Sequence, residues 1–264
     1  MQETSVQELL CFGMEPGGGN SALVVRHDHG SAEQRQRFAR ERRKPACVFI
    51  DHADGGIVLD YFYPHMRSPL CLHATLAAAR VLLSPQRPEL LVHTAMRKQP
   101  LTLILQDGEV FIQLSPQTVP EVTIAPELPA RLLAAPSIRL ASPPVIASVG
   151  SPKLLLEVVD RATLHALKPD LHAIADWGQQ HAVSGCYVWC RRPDGALEGR
   201  NLNHLTAAAE DGATGVAAGA LTAHLKTGIT LYQGANLGMP CMLRTELRDE
   251  NILIGGRTEL RSTT

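Results

Sequence analysis

Aromatic side chains make up only 4% of this 264-residue sequence, so its core has to be aliphatic, built mainly from the abundant Ala and Leu. Its six cysteines lack the regular spacing of a disulfide framework, which points to reduced thiols and a cytosolic setting. No apolar run approaches the ~20 residues of a membrane span. The N-terminal segment, with Glu3 and Glu8, lacks the basic-then-apolar pattern of a secretory signal. Nor is one sign of charge in excess: the net value of −1 argues against a dedicated nucleic-acid binder. The run Gly17-Gly18-Gly19 is not followed by Gly-Lys-Ser/Thr, which excludes a phosphate loop. What remains is 45% hydrophobic and 19% charged, enough for a packed core in one large domain or two ordinary ones.

One short segment occurs twice. Residues 71–80 read Cys-Leu-His-Ala-Thr-Leu-Ala-Ala-Ala-Arg, and residues 210–220 read Glu-Asp-Gly-Ala-Thr-Gly-Val-Ala-Ala-Gly-Ala. Each has an ionisable residue just ahead of an Ala-Thr pair, then a run of small helix formers. Superposing Ala74-Thr75 on Ala213-Thr214 sets the copies about half a chain apart. The spacing implies a duplicated domain with one polar helix start per half. Two such ends facing each other would suit an anionic substrate, since unpaired N–H groups and the helix dipole both favour negative charge.

The rest of the pattern is strand-rich. In the first half, strands are expected at 6–12, 22–25, 46–51, 56–63, 89–95, 101–106 and 109–114, with helices at 33–43 and 73–83. Phe38 and Ala39 face inward on the first helix. The Pro- and Ala-rich segment 116–150 reads as the crossover. In the second half, strands are expected at 154–159, 185–190, 229–233 and 241–246, with helices at 170–181 and 213–226 and a polar loop over 191–209. Few helices and many strands make the class α+β.

His73 and Asp211 are the leading acid/base candidates. Imidazole titrates near neutrality with little tuning, whereas Asp211 needs burial or a nearby substrate carboxylate to raise its pKa. The plainer reading of Asp211 is a helix-start acid that stabilises the dipole, and that of His73 is a structural histidine. Cys186 and Cys190 bracket Tyr-Val-Trp on a strand, too far apart for a shared metal or a disulfide, and read as core. His27-Asp28-His29 reads as a solvated loop, and the basic stretch 35–44 as a solvated helix face.

Several ordered motifs resemble the phenazine-biosynthesis (PhzF-like) isomerases, which share the diaminopimelate epimerase fold. Gly18-Gly19-Asn20-Ser21-Ala22-Leu23-Val24-Val25 is similar to the family's Gly-Asn-Pro-x-Ala-Val-Val. Ser68-Pro69-Leu70-Cys71-Leu72-His73-Ala74-Thr75-Leu76 is similar to its Leu-Pro-Leu-Cys-Gly-His-Ala-Thr-Leu. Gly199-Arg200-Asn201-Leu202 with Glu210-Asp211-Gly212-Ala213-Thr214-Gly215 is similar to Arg-x-Phe…Glu-Asp-Pro-Ala-Thr-Gly-Ser. Gln233-Gly234-Ala235-Asn236-Leu237-Gly238-Met239-Pro240 is similar to Gln-Gly-x-x-x-Gly-Arg-Pro. The matches span nearly the whole chain.

The resemblance implies two pseudo-symmetric lobes, each a strand-rich half-barrel around a central helix, with the site between the helices. The lobes would be residues 1–115 and 116–251, the final stretch of about 252–264 returning to the first. It implies that His73 and Asp211 line the site and that backbone N–H groups near Asn20, Ala74, Gly215 and Val216 hold substrate. It further implies a cytoplasmic, cofactor-independent homodimer that moves a proton on a small carboxylate, with neither a nucleic acid nor a membrane as partner. The family's base is a Glu in a Ser-Glu-Thr motif; here Lys44-Pro45 or Pro45-Ala46 stands in the Ser-Glu place. Leu72 replaces a Gly, Val216 a Ser and Met239 an Arg. Cys71 stands where diaminopimelate epimerase carries one of its paired thiols, and Gly212 and Ala213 fill the neighbourhood of the second. Two readings follow: an isomerase using Asp211 and His73 with Cys71, or a binding protein that keeps the fold without catalysis.

Overall fold

The computed structural model describes residues 3–53, 55–202 and 210–261. Its contacts divide the chain into two units, Met1–Leu114 with Ile254–Thr264 and Ser115–Leu253. In the first unit, β1 (Ser5–Phe12) pairs antiparallel with β2 (Gly19–Arg26), and β2 runs parallel to β3 (Ala46–Ala53) after the crossover helix α1 (Ala32–Arg42). Ser31 and Gln34 close a capping box at the start of α1. Next, β4 (Gly56–Phe62) pairs antiparallel with β3 and with the short β5 (Arg67–Ser68), and parallel with β6 (Glu89–Thr94) beyond helix α2 (Leu72–Leu82). Strands β7 (Pro100–Gln106) and β8 (Glu109–Leu114) continue antiparallel.

Alternation along the strands divides the core into two layers. Leu23, Val25, Cys47, Phe49 and Phe62 pack against Ala39 of α1, with Phe49 edge-to-face to Phe38 at 5.8 Å and to Phe62 at 5.5 Å. The other face packs on α2, whose Ala74, Ala77, Ala78 and Ala79 are fully buried. Side chains this small let strands close around a helix on several sides, which is why the Ala-rich segment becomes the central one.

The second unit has a short helix α3 (Leu128–Leu132), then β9 (Val145–Ala147) antiparallel to β10 (Lys153–Glu157). Helices α4 (Arg161–Ala166) and α5 (Leu171–His181) lead to β11 (Cys186–Arg191), which runs parallel to β10. Strand β12 (Leu197–Leu202) pairs antiparallel with β11 and with the short β13 (Glu210–Asp211), and parallel with β14 (Thr230–Gln233) beyond helix α6 (Gly215–Leu225). Strand β15 (Cys241–Arg248) pairs antiparallel with β14. Leu154, Leu156, Cys186, Val188, Cys190 and Leu202 form a core with α3, α4 and α5. Strand β16 (Asn251–Gly256) leads back to the first unit, where β17 (Thr258–Leu260) joins β1.

The same succession of pairings therefore occurs twice, an internal duplication of one α+β unit. An ion pair with one buried partner repeats with its charges exchanged. Asp60 on β4 binds Arg67 of β5 at 2.8 Å, whereas Arg200 on β12 binds Glu210 of β13 at 2.8 Å, and the registers Phe62↔Arg67 and Leu202↔Glu210 make the positions equivalent. The repeat is nevertheless offset from the superposition of the Ala-Thr pairs. Helix α2 starts at Leu72, so Ala74-Thr75 lie in its first turn; α6 starts at Gly215, so Ala213-Thr214 precede it. The residues before the helices, Cys71 and Thr214, are the structural counterparts.

Three further expectations change. The loop expected over 191–209 contains the last residue of β11 and, after a short turn, β12, whose residues are all buried; its end, 203–209, lies outside the described residues. Glu198, Arg200 and Asn201 disguise this strand, because charged and amide groups inside a sheet break the apolar pattern. The crossover 116–150 contains α3 and β9. Arg35, expected on a solvated face, is 8% exposed and binds Asp28 at 2.8 Å, Asp51 at 2.6 Å and Asp60 at 3.3 Å. Three carboxylates offset the cost of taking its charge out of water.

Candidate functional site

At the start of α2, Cys71 occupies the N-cap and His73 the first turn; both are buried. The Cys71 Sγ lies 3.4 Å from His73 Nδ1. Burial alone would push this thiol up, but His73, Tyr63 and the Ala74 N–H outweigh it and hold the Cys71 pKa below the ordinary value. The cluster is fixed on every side. Thr75 donates to the Cys71 carbonyl at 2.8 Å and pairs with Tyr61 at 2.8 Å, while Cys11 donates to the His73 carbonyl at 3.1 Å. Asn20 lies opposite Cys11 in the β1–β2 register, on the α2-facing side and 2% exposed. By contrast, burial pushes Cys47 up to about 12, the inert thiol of a strand core.

Lys44 and Pro45, the residues that the resemblance sets against the family's Ser-Glu, lie at the end of the α1–β3 connection. Lys44 Nζ binds Glu8 Oε1 at 2.8 Å, and Pro45 is exposed just ahead of β3. Burial would raise the Glu8 pKa, yet hydrogen bonds from Lys44, Ser21 and Arg261 bring it to about 2. Leu72 is 4% exposed and starts α2 without a positive φ, so that position makes no demand for glycine.

At the start of α6, Asp211 lies on β13 directly opposite Asn201. Thr214 Oγ1 donates to Asp211 Oδ2 at 2.7 Å. Gln233 Nε2 donates to the Asp211 carbonyl at 2.6 Å and to Thr214 Oγ1 at 3.1 Å. Tyr187 in turn donates to Gln233 Oε1 at 2.9 Å. Since the Thr214 hydroxyl points at Asp211, α6 has no side-chain cap, and the first N–H groups, those of Gly215 and Val216, have no acceptor within the helix. A Cβ at Gly212 would lie 2.0 Å from Met239 Cε, so the end of the Met239 side chain occupies the space beside this glycine.

Sequence reasoning missed four groups on this side of the sheet. Gln233 stands in a recognised motif but carried no role, and Tyr187 alternates with the core cysteines Cys186 and Cys190. Asn201 was one variable letter of a motif, and nothing marked Lys153. Lys153 is 3% exposed, and its Nζ donates to the Ser184 carbonyl. Burial lowers its pKa to about 8 against the fields of Asp211 and Cys186. Chemically, the first unit offers a thiol and an imidazole able to exchange a proton, and the second a carboxylate in a fixed frame. The described residues contain no group of three or more His, Cys, Asp or Glu side chains arranged to hold a metal, and no helix long and apolar enough to cross a membrane.

This architecture is that of the PhzF-type and amino-acid epimerase structures. A Bacillus anthracis PhzF-family structure matches 99% of this chain and 98% of its own at a TM-score of 0.80 and 21% identity. A hydroxyproline epimerase from Agrobacterium vitis matches 98% and 90% at a TM-score of 0.61 and 14% identity. The family model for phenazine biosynthesis-like proteins matches residues 10–260, and the chain belongs to that family. An uncharacterized isomerase from Deinococcus radiodurans is 30% identical over 96% of this chain and 91% of its own length. The trans-2,3-dihydro-3-hydroxyanthranilate isomerase of Pseudomonas aeruginosa is 29% identical over 87% and 85%.

Proposed function

We propose that the protein is a cofactor-independent isomerase or epimerase that moves a proton on a small carboxylate substrate. Asp211 and His73 handle the proton, and Cys71 supplies a second acid/base group in place of the missing glutamate. The observation that carries this is the Cys71–His73 pair, 3.4 Å apart at a helix start. A thiol whose pKa an imidazole holds below the ordinary value gives up its proton more readily than an ordinary buried thiol. The isomerase names of the relatives support the reaction class. Backbone N–H groups near Asn20, Ala74, Gly215 and Val216 are assigned to holding the substrate carboxylate; of these, Ala74 already donates to the Cys71 sulfur. The chain acts in the cytoplasm as a homodimer in this reading.

The test is proton NMR in D₂O with a panel of small amino, hydroxy and unsaturated acids. The expected result is C–H exchange that Asp211→Asn abolishes and Cys71→Ser lowers by at least about tenfold. Turnover unchanged in a folded Asp211→Asn protein would refute the assignment. A second reading, a non-catalytic binder of small acids, is favoured by one observation: Lys44 is engaged by Glu8 and Pro45 offers no acid or base. Saturable binding of an acid without exchange would select it.

A further inference from the structure

Among buried groups of the second unit, the Asn201 amide stands out. It is 1% exposed, and its Oδ1 has no hydrogen-bond partner among the described residues. An unpaired buried carbonyl costs about 1–3 kcal/mol, and a fold with this cost has not been relieved by an apolar residue at the position. Sheet register fixes where the amide lies. Leu155↔Tyr187, Tyr187↔Asn201 and Asn201↔Asp211 form one row across β10, β11, β12 and β13, and residues directly opposite in such pairs share a face. The core with α3, α4 and α5 takes the alternate residues, Leu154, Cys186 and Leu202. Asn201 therefore lies on the other face, the one on which Tyr187 reaches Gln233 and Gln233 reaches Thr214 at the start of α6. Its flanking neighbours are committed: the Tyr187 hydroxyl to Gln233, and Asp211 Oδ2 to Thr214.

We propose that the Asn201 amide is a substrate-binding group. Its Oδ1 accepts a hydrogen bond from a hydroxyl or ammonium of the acid that Asp211 serves, so the substrate is a hydroxy or amino acid. This deepens the reading of Asp211 as a site residue and rests on it. The geometry discriminates in a simple way. An acid with a donor satisfies the orphan oxygen, and the same acid without one leaves it unpaired in a drier site. Lys153, on the same side of β10, donates to the Ser184 carbonyl and interacts electrostatically with Asp211, so it supplies positive charge near the acid.

The experiment titrates the full chain with 2-hydroxybutyrate, 2-aminobutyrate and butyrate, following amide chemical shifts. Wild-type protein is expected to bind at least one donor-bearing acid about tenfold or more tightly than butyrate, the factor that one unpaired buried acceptor corresponds to. Asn201→Leu, a near-isostere without the acceptor, is expected to bring the acids to within about threefold while leaving thermal stability equal or higher. Asn201→Asp keeps an acceptor and is expected to keep the preference for 2-aminobutyrate. Equal responses of wild type and Asn201→Leu across all three acids would overturn the proposal. So would a destabilised Asn201→Leu protein, because the amide would then serve the fold. Discrimination retained while no acid undergoes C–H exchange would support this inference and count against the isomerase reading alone.

Discussion

Replacing Lys153 by Met should stabilise the protein at neutral pH and flatten its alkaline stability profile. Lys153 is 3% exposed, its ammonium donates to the Ser184 carbonyl, and burial brings its pKa from 10.5 to about 8. That difference corresponds to about 3 kcal/mol between the charged and neutral forms. The folded state binds fewer protons than the unfolded one between these values. Stability of the wild type therefore rises as pH climbs from about 8 to 10.5, and the full cost is present below 8. Methionine has a similar reach and no charge to bury. Its gain at pH 7 is reduced by about 1 kcal/mol for the Ser184 carbonyl left without its donor, so a net gain of about 2 kcal/mol is expected. Urea denaturation of both proteins at pH 7, 8, 9 and 10 measures it, with the difference between the two curves removing contributions from other groups. The curves should converge as pH rises. Parallel curves, or a Lys153→Met protein less stable at pH 7, would refute the reasoning.

Glu8 gives the opposite sign: its folded pKa of about 2 lies below the ordinary 4.5, so its contribution is present above 4.5 and lost as pH falls toward 2. Glu8→Gln should remove on the order of 1 kcal/mol at pH 7 and low salt, and flatten the acid limb of a melting-temperature profile. Gly199→Ala places a Cβ 2.4 Å from the Tyr187 ring; a loss of about 2 kcal/mol in denaturant midpoint is expected, and an unchanged midpoint would count against the packing described. Thiolate absorbance at 240 nm, taken as wild type minus Cys71→Ser, should titrate below the ordinary thiol value and move up in His73→Asn. Burial holds Cys47 and Cys186 up near 12 and Cys190 near 11, out of that range.

Element types were readable wherever the apolar period was clean. The first unit's strands and the Ala-rich helices follow alternation and small-residue runs, and the structure has them close to the expected limits. Legibility failed where polar residues are buried in pairs. Strand β12 carries Glu198, Arg200 and Asn201, and Arg200 is balanced by Glu210 from a neighbouring strand that no local window contains. The burial of Arg35 has the same cause, since its partners Asp51 and Asp60 come from β3 and β4. The repeat was visible, but its register was not. An Ala-Thr pair fits either side of a helix start, so only the caps, Cys71 and Thr214, fix the true correspondence. At the candidate site, Cys71, His73 and Asp211 carried signal in their chemistry. Gln233, Tyr187, Lys153 and Asn201 did not, because their roles depend on strand register rather than on neighbours in sequence.

The most direct test of the central claim is solvent hydrogen exchange at carbon in the small-acid panel, wild type against Asp211→Asn. Deuterium incorporation at the carbon next to the carboxylate in wild type, lost in the folded variant, is the result this account predicts. Incorporation that continues undiminished in Asp211→Asn, or an acid that binds saturably and never exchanges, would contradict it.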